Sequence, residues 1–244
     1  MARNPTRSVK LARMVLAQPP PMPVVPSDTA VAAARAYAVH RQGRVAFAVV
    51  DSHGRLRGTA SARSYHSASV IKAMLLVAEL ERRGERPLTR TERKLLEPMI
   101  RRSSNTAARR VYQSLGPDRV LRLARRAHMR RFAIPALFEA RITAGDQARL
   151  FARLDPLVPN SHRGYARRLL AGIVPEQRWG IPDAVPAGWR VFFKGGWRKG
   201  LVHQVARLER ADGTAIALAV LTDHDPSERY GQATVRGIAW RLLR

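Results

Sequence analysis

The order of elements legible in the chain predicts an α/β (α+β) fold in which an all-α block interrupts a five-stranded antiparallel sheet. Three observations lead there: strand patterns gather near the two ends, helical signals run from Ser67 to about Gln177 between them, and a helix opens and closes the series. Two strands before the block and three after it pair most simply as one sheet, with the terminal helices on one face. A cleft then lies where the helical block meets the sheet. The expected division is an arm at 1–28, an α/β part at 29–62 and 187–244, and an all-α part at 63–186.

Each element has a local reason. Ser27 or Asp28 can cap a helix running through about His40, which its alanines favour. "RVAFAVVDSHGRLRGTASA" reads as a hairpin, with an apolar strand at Val45–Val50 and a turn at Asp51–Gly54. Gly84 stops the first helix of the block, Thr89 and Glu92 form a capping box, and Gly116–Pro117 separates two further helices. Thr143 with Asp146 opens another. Strands return at Trp189–Phe193, Leu201–Glu209 and Thr214–Thr222, the last two joined by a turn at Ala211–Gly213. Pro226 is expected to begin the closing helix, with Asp225 as its cap; that explains "DHDP" better than a metal site does.

Composition narrows the function classes. The chain has 244 residues, 45% of them hydrophobic, so it can bury a substantial core. It has no cysteine, which excludes disulfides and thiolate metal sites. No run approaches the roughly 18 apolar residues of a membrane span. The first residues, "MARNPTRSVKLARMVLAQPPPMPVVP", imitate a basic export signal, but the apolar stretch covers only Met14 to Ala17. A signal needs roughly 7–15 such residues. An extended, disordered arm is expected instead, and the compartment stays open.

The formal net charge is +26, from 44 Lys+Arg against 18 Asp+Glu. Lysine occurs only at Lys10, Lys72, Lys94, Lys194 and Lys199, and the remaining 39 cations are arginines. Such a surface attracts polyanions. Aromatics make up only 6%, which is poor for base stacking, so solvated helix faces account for most of the arginines. The densest run, Arg122 to Arg131, is a candidate anion-binding face.

Chemistry concentrates in three short stretches. Ser69-Val70-Ile71-Lys72 places a serine at a helix mouth with a lysine one turn on, inside an otherwise apolar run from Val70 to Leu80. Positions i and i+3 share a helix face, and a desolvated amine can take the hydroxyl proton. Ser103-Ser104-Asn105 precedes a helix and offers a relay hydroxyl and a side-chain amide. Lys194-Gly195-Gly196-Trp197 is expected to end a strand, offering a cation and a slim backbone edge beside which a substrate can lie.

Each stretch alone is weak, but their order and context together resemble the penicillin-recognising serine acyltransferases, most closely class A β-lactamases. The resemblance spans about 29–244 and includes "SSNTAARRVYQSLGP" and "PAGWRVFFKGG". It implies a β-lactamase-like fold with Ser69 as the acylated nucleophile and Lys72 as its base or proton shuttle. It further implies Ser103 as relay to the leaving nitrogen, Asn105 as substrate-amide contact, and Lys194 as partner of Ser103 and of the substrate carboxylate. The N–H groups of Ser69 and Trp197 would form the oxyanion hole, and Gly195 and Gly196 would line the substrate. No metal or organic cofactor and a monomeric state are expected.

The departures matter as much. Ser104 and Gly195 stand where S-D-N and K-T-G carry aspartate and threonine. The segment between Asn105 and Thr143 is short and lacks the E-x-x-L-N pattern whose glutamate activates the deacylating water. Glu139 is the only acid nearby, and an exposed loop charge is its plainer reading; His66 reads as an ordinary polar loop residue that could touch the pocket rim. Three functions compete: a β-lactam hydrolase with slow deacylation, a D,D-peptidase-like enzyme on wall peptides, and a non-enzymatic polyanion binder on the same fold.

Overall fold

The computed structural model describes residues 24–244. In chain order its elements are α1 (Asp28–Val39), β1 (Arg44–Val50), β2 (Leu56–Thr59), β3 (Ser64–His66), a 3₁₀ turn (Ala68–Val70), α2 (Ile71–Arg83), α3 (Arg90–Arg101), α4 (Asn105–Leu115) and α5 (Pro117–Arg126). A 3₁₀ turn at Leu137–Glu139 leads into β4 (Arg141–Thr143), α6 (Ala144–Ala152), α7 (Leu154–Leu157) and α8 (Asn160–Ala171). A last 3₁₀ turn (Pro175–Gln177) precedes α9 (Ile181–Ala184), β5 (Trp189–Arg198), β6 (Leu201–Arg210), β7 (Ala215–Asp223) and α10 (Glu228–Leu242). The expected order of elements holds.

The main sheet is antiparallel, five-stranded and ordered β2-β1-β7-β6-β5. Its central strands are buried at nearly every position, so both faces are covered. α1 and α10 pack on each other and on the sheet, while α6 lies against β1, β6 and β7. The helical block hangs on α2, whose residues Ile71 to Leu80 are all buried, Lys72 and Glu79 included.

Local signals account for the boundaries. Ser27 caps α1 by accepting from Ala30 N, Thr89 and Glu92 form both bonds of their capping box, and Thr143 caps α6 by accepting from Asp146 N. Gly84 and Gly116, both at positive φ, terminate α2 and α4. One cap differs from expectation: Ser227, not Asp225, accepts from Tyr230 N at the start of α10. Asp225 is instead buried, and accepts a bond from Thr222 Oγ1. Burial pushes its carboxyl up to about 6. Competition from a hydroxyl inside the sheet won over the helix end.

A second difference lies inside the helical block. β3 and β4 form a two-stranded sheet, Tyr65 opposite Ile142, that the sequence does not advertise because three residues carry no period. It seats the Ser67–Val70 turn: Ser67 N donates to Ala140 O, and His66 O is bonded to His203 Nε2 at 2.9 Å. His203 is fully buried in β6, and burial lowers its pKa to about 4. The expected arm at 1–28 and the export-signal reading fall largely outside the described residues. Its described end, from Val24, runs along the first hairpin, where Val25 N donates to Ser52 Oγ. Among the described residues no helix is long and apolar enough to cross a membrane.

Candidate active site

The three sequence stretches converge. Ser69 sits in the 3₁₀ turn that feeds α2, and Lys72 Nζ lies 2.8 Å from its Oγ. The same amine is 2.7 Å from Asn105 Oδ1, 2.5 Å from Ser103 O and 3.0 Å from Ser103 Oγ. Lys194 Nζ approaches Ser103 Oγ from the other side at 3.1 Å and donates to Gly195 O at 2.7 Å. One hydroxyl therefore stands between two amines. Ser104, whose family counterpart is an aspartate, caps α4 through Ala107 N, which explains why a serine suffices there.

An ammonium has three protons to give, and Lys72 faces four acceptor atoms. Ser69 Oγ and Ser103 Oγ can donate as well as accept, so once Lys72 loses a proton its lone pair can receive the Ser69 hydroxyl while its N–H groups serve Ser103 O and Asn105 Oδ1. The electrostatics bring that form within reach near neutral pH. Desolvation, reinforced by the positive charge of Arg109, lowers the Lys72 pKa to about 8. Lys194 is fully buried, and burial with the neighbouring Lys72 charge holds its amine well below the ordinary lysine range.

The backbone around the serines is strained. Ala68 and Ser103 adopt φ of 43° and 58°, a region that non-glycine residues avoid and that costs of order 1–3 kcal/mol when imposed. Gly196 is required by a different contact. A Cβ there would lie 2.7 Å from Ser69 N and 2.8 Å from Val70 N, so the strand runs flush against the turn that carries the serine. Gly195 has no such constraint; a Cβ on it would meet only ordinary contacts at 3.6 Å or more.

The Lys194–Trp197 stretch lies within β5, which continues to Arg198, whereas the sequence expectation ended the strand there. The paired glycines look like a breaker in sequence, but they remain in register with Gln204 and His203 of β6. Trp197 packs edge-on against Trp179, ring centroids 5.4 Å apart.

The opposite wall comes from the 3₁₀ turn at Leu137–Glu139, and sequence reasoning missed its main contribution. The Phe138 ring lies 5.3 Å from Lys72 Nζ and 5.5 Å from the Arg109 guanidinium carbon. Glu139 is committed elsewhere: its Oε2 is 2.6 Å from His66 Nδ1 and its Oε1 is 2.8 Å from Arg198 Nη1. The Arg198 guanidinium holds its carboxyl below the usual range. His66, expected as a loop residue, instead ends β3 and faces Glu139. No group of three potential metal-ligating side chains occurs among the described residues.

A profile of the β-lactamase enzyme family matches residues 83–244. The chain belongs to that family. It is a serine hydrolase of the β-lactamase type. The matched span includes Ser103, Asn105 and Lys194–Trp197, whereas Ser69 and Lys72 precede it. Solved structures extend the likeness across the fold. A β-lactamase from Sphaerobacter thermophilus superposes with a TM-score of 0.77 at 22% identity, covering 88% of this chain and 95% of its own. A class A β-lactamase from Mycobacterium abscessus gives 0.74 at 23% identity, covering 88% and 98%. A representative class A β-lactamase from Bacteroides cellulosilyticus gives 0.78 at 13%, covering 90% and 97%. No curated protein sequence matches this chain.

Proposed function

We propose that this β-lactamase-type hydrolase takes an acyl group from a β-lactam, or from a related acyl-D-amino-acid amide, onto Ser69 Oγ, and releases it slowly. The observation that carries the reading is the 2.8 Å approach of a buried, pKa-lowered Lys72 amine to Ser69 Oγ, with no carboxylate among the described residues bonded to that amine. As Oγ attacks the carbonyl carbon, Lys72 takes its proton. Ser103, bonded to both lysines, passes a proton to the departing nitrogen as the amide C–N bond breaks. The Ser69 and Trp197 N–H groups are assigned to the developing oxyanion, Asn105 to the substrate amide, and Lys194 to the substrate carboxylate.

Deacylation needs a water at the ester and a base with a pKa near the working pH. Phe138 occupies the wall beside Lys72, and Glu139 is a poor base because Arg198 lowers its pKa. The same pairing favours, as a second reading, a D,D-peptidase-like enzyme on wall peptides, for which a β-lactam is a slow suicide ligand. Intact-protein mass spectrometry during incubation with a penicillin tests both steps. The expected trace is a rise to near-complete adduct on Ser69, decaying over many minutes. An adduct that persists in Ser69→Ala removes the nucleophile assignment, and rapid multiple turnover removes slow release.

A further inference from the structure

The arginine surface is uneven, and one concavity gathers more of it than the fold requires. Its walls are Arg167 and Arg168 of α8, Arg178 after the last 3₁₀ turn, and Arg190 of β5, over a floor of Ala171, Val191 and Phe192. Two carboxylates stand behind it. Asp155 and Glu209 are shared among Arg167, Arg190 and Arg207. Among the described residues Arg168 and Arg178 have no carboxylate partner: Arg168 lies over Tyr165, and Arg178 donates to Ala171 O. On the adjoining surface Arg101 donates to Gly172 O, so cations flank both sides of the α8 end. Four guanidiniums thus line one hollow, and the two acids behind it are shared with a fifth, that of Arg207.

The aromatic floor narrows the ligand. Guanidinium carbons of Arg167 and Arg190 lie 5.1 and 5.9 Å from the Phe192 ring, and that of Arg178 lies 5.4 Å from Phe193. These rings hold the forks in place instead of offering a bare face for a nucleobase. Planar guanidinium forks suit phosphate oxygens. β5 links the hollow to the serine site: Arg190 and Lys194 are separated along the strand by roughly 13 Å, at about 3.3 Å per residue. A polymer seated at Arg190 would pass beside the cleft.

We propose that this hollow binds a flexible, phosphate-bearing polymer through its backbone charges, as a docking site separate from the serine centre. Inorganic polyphosphate is the probe, with fluorescence anisotropy recording its affinity across a salt series. Wild-type protein should bind at physiological ionic strength, with log K falling linearly in log salt. The double variant Arg168→Glu, Arg178→Glu should weaken binding and reduce that slope by about 1–2, since each phosphate neutralised on a flexible strand contributes roughly 0.7. The same reversal on the arginine-dense run at the end of α5, Arg125→Glu with Arg130→Glu, tests that rival face and should leave the slope nearly unchanged. Acylation of Ser69 should be unaltered in both variants, which confirms that they fold and separates this proposal from the catalytic one. Equal losses in both variants, or no binding near 0.15 M salt, overturns it. So does tighter binding of a single-stranded DNA of matched charge, which would assign the hollow to nucleic acid.

Discussion

The two walls of the cleft differ in what they contain. On one side, Lys72 of α2 bonds to Ser69, Ser103 and Asn105, and Lys194 of β5 bonds in turn to Ser103. On the other, the turn at Leu137–Glu139 presents a ring to Lys72 and spends its only carboxylate on His66 and Arg198. In the proposed reaction, one wall carries the groups that form an acyl ester and the other has little with which to break it. On that reading a single active site is complete for one half of a two-step reaction and poor for the other.

The contact most able to break the first wall is Gly196. Gly196→Ala must push β5 away from Ser69 N and Val70 N, which a Cβ would approach to 2.7 and 2.8 Å. Misplacement of reacting groups by about 1 Å can cost 10²-fold, so adduct formation should fall by on the order of 10²-fold or more. Near-normal acylation would show that the strand can yield and that its closeness is not needed.

Lys72→Ala should slow acylation by on the order of 10²–10⁴-fold, the usual scale for a lost general base. The wild-type pH profile supplies a subtler check. Burial lowers the Lys72 pKa, so the neutral, proton-accepting form grows as pH rises through about 8, and the acylation rate should rise with it. A profile flat between pH 6 and 9 would mean that Lys72 is not the base.

The two walls were also unequally legible in the sequence. Ser69, Lys72, Ser103, Asn105 and Lys194 stand out because a serine or lysine beside an apolar run or a helix cap is chemically conspicuous. The sheet was legible for a related reason, since short continuous apolar runs bounded by turn signals read as fully buried strands. Phe138, Arg109 and His203 gave no such sign. An aromatic in a loop, an arginine among 39 and a histidine inside a strand acquire their roles only when tertiary packing places them. The β3–β4 pair was hidden because three-residue strands lack a pattern, and β5 was shortened because paired glycines imitate a stop.

Phe138→Ala sharpens the second wall. Removing the ring opens the face of Lys72 that it covers, so water gains access to the ester, and the adduct should decay several-fold faster while forming at a similar rate. An unchanged lifetime would locate the barrier to release elsewhere in the cleft.

Glu139→Gln is expected to have the smallest effect, and it decides whether the turn's carboxylate takes part at all. Its partners are partly exposed, with side chains 32% accessible at His66 and 45% at Arg198, and Glu139 itself is 43% accessible. Ion pairs so exposed are worth about 0–1 kcal/mol, so the melting temperature should move only slightly. The adduct lifetime is the informative readout. A carboxylate held by an arginine and a histidine, with its pKa lowered by the arginine, is weakly basic, with one oxygen bonded to Arg198 and the other in ion-pair contact with His66. Glutamine can keep one oxygen acceptor for Arg198 but cannot take a proton from water. If the lifetime is unchanged, Glu139 is structural and slow release belongs to the absence of a base on this wall. If the adduct persists much longer in the variant, Glu139 leaves its partners during the reaction and is the base that the resting geometry conceals.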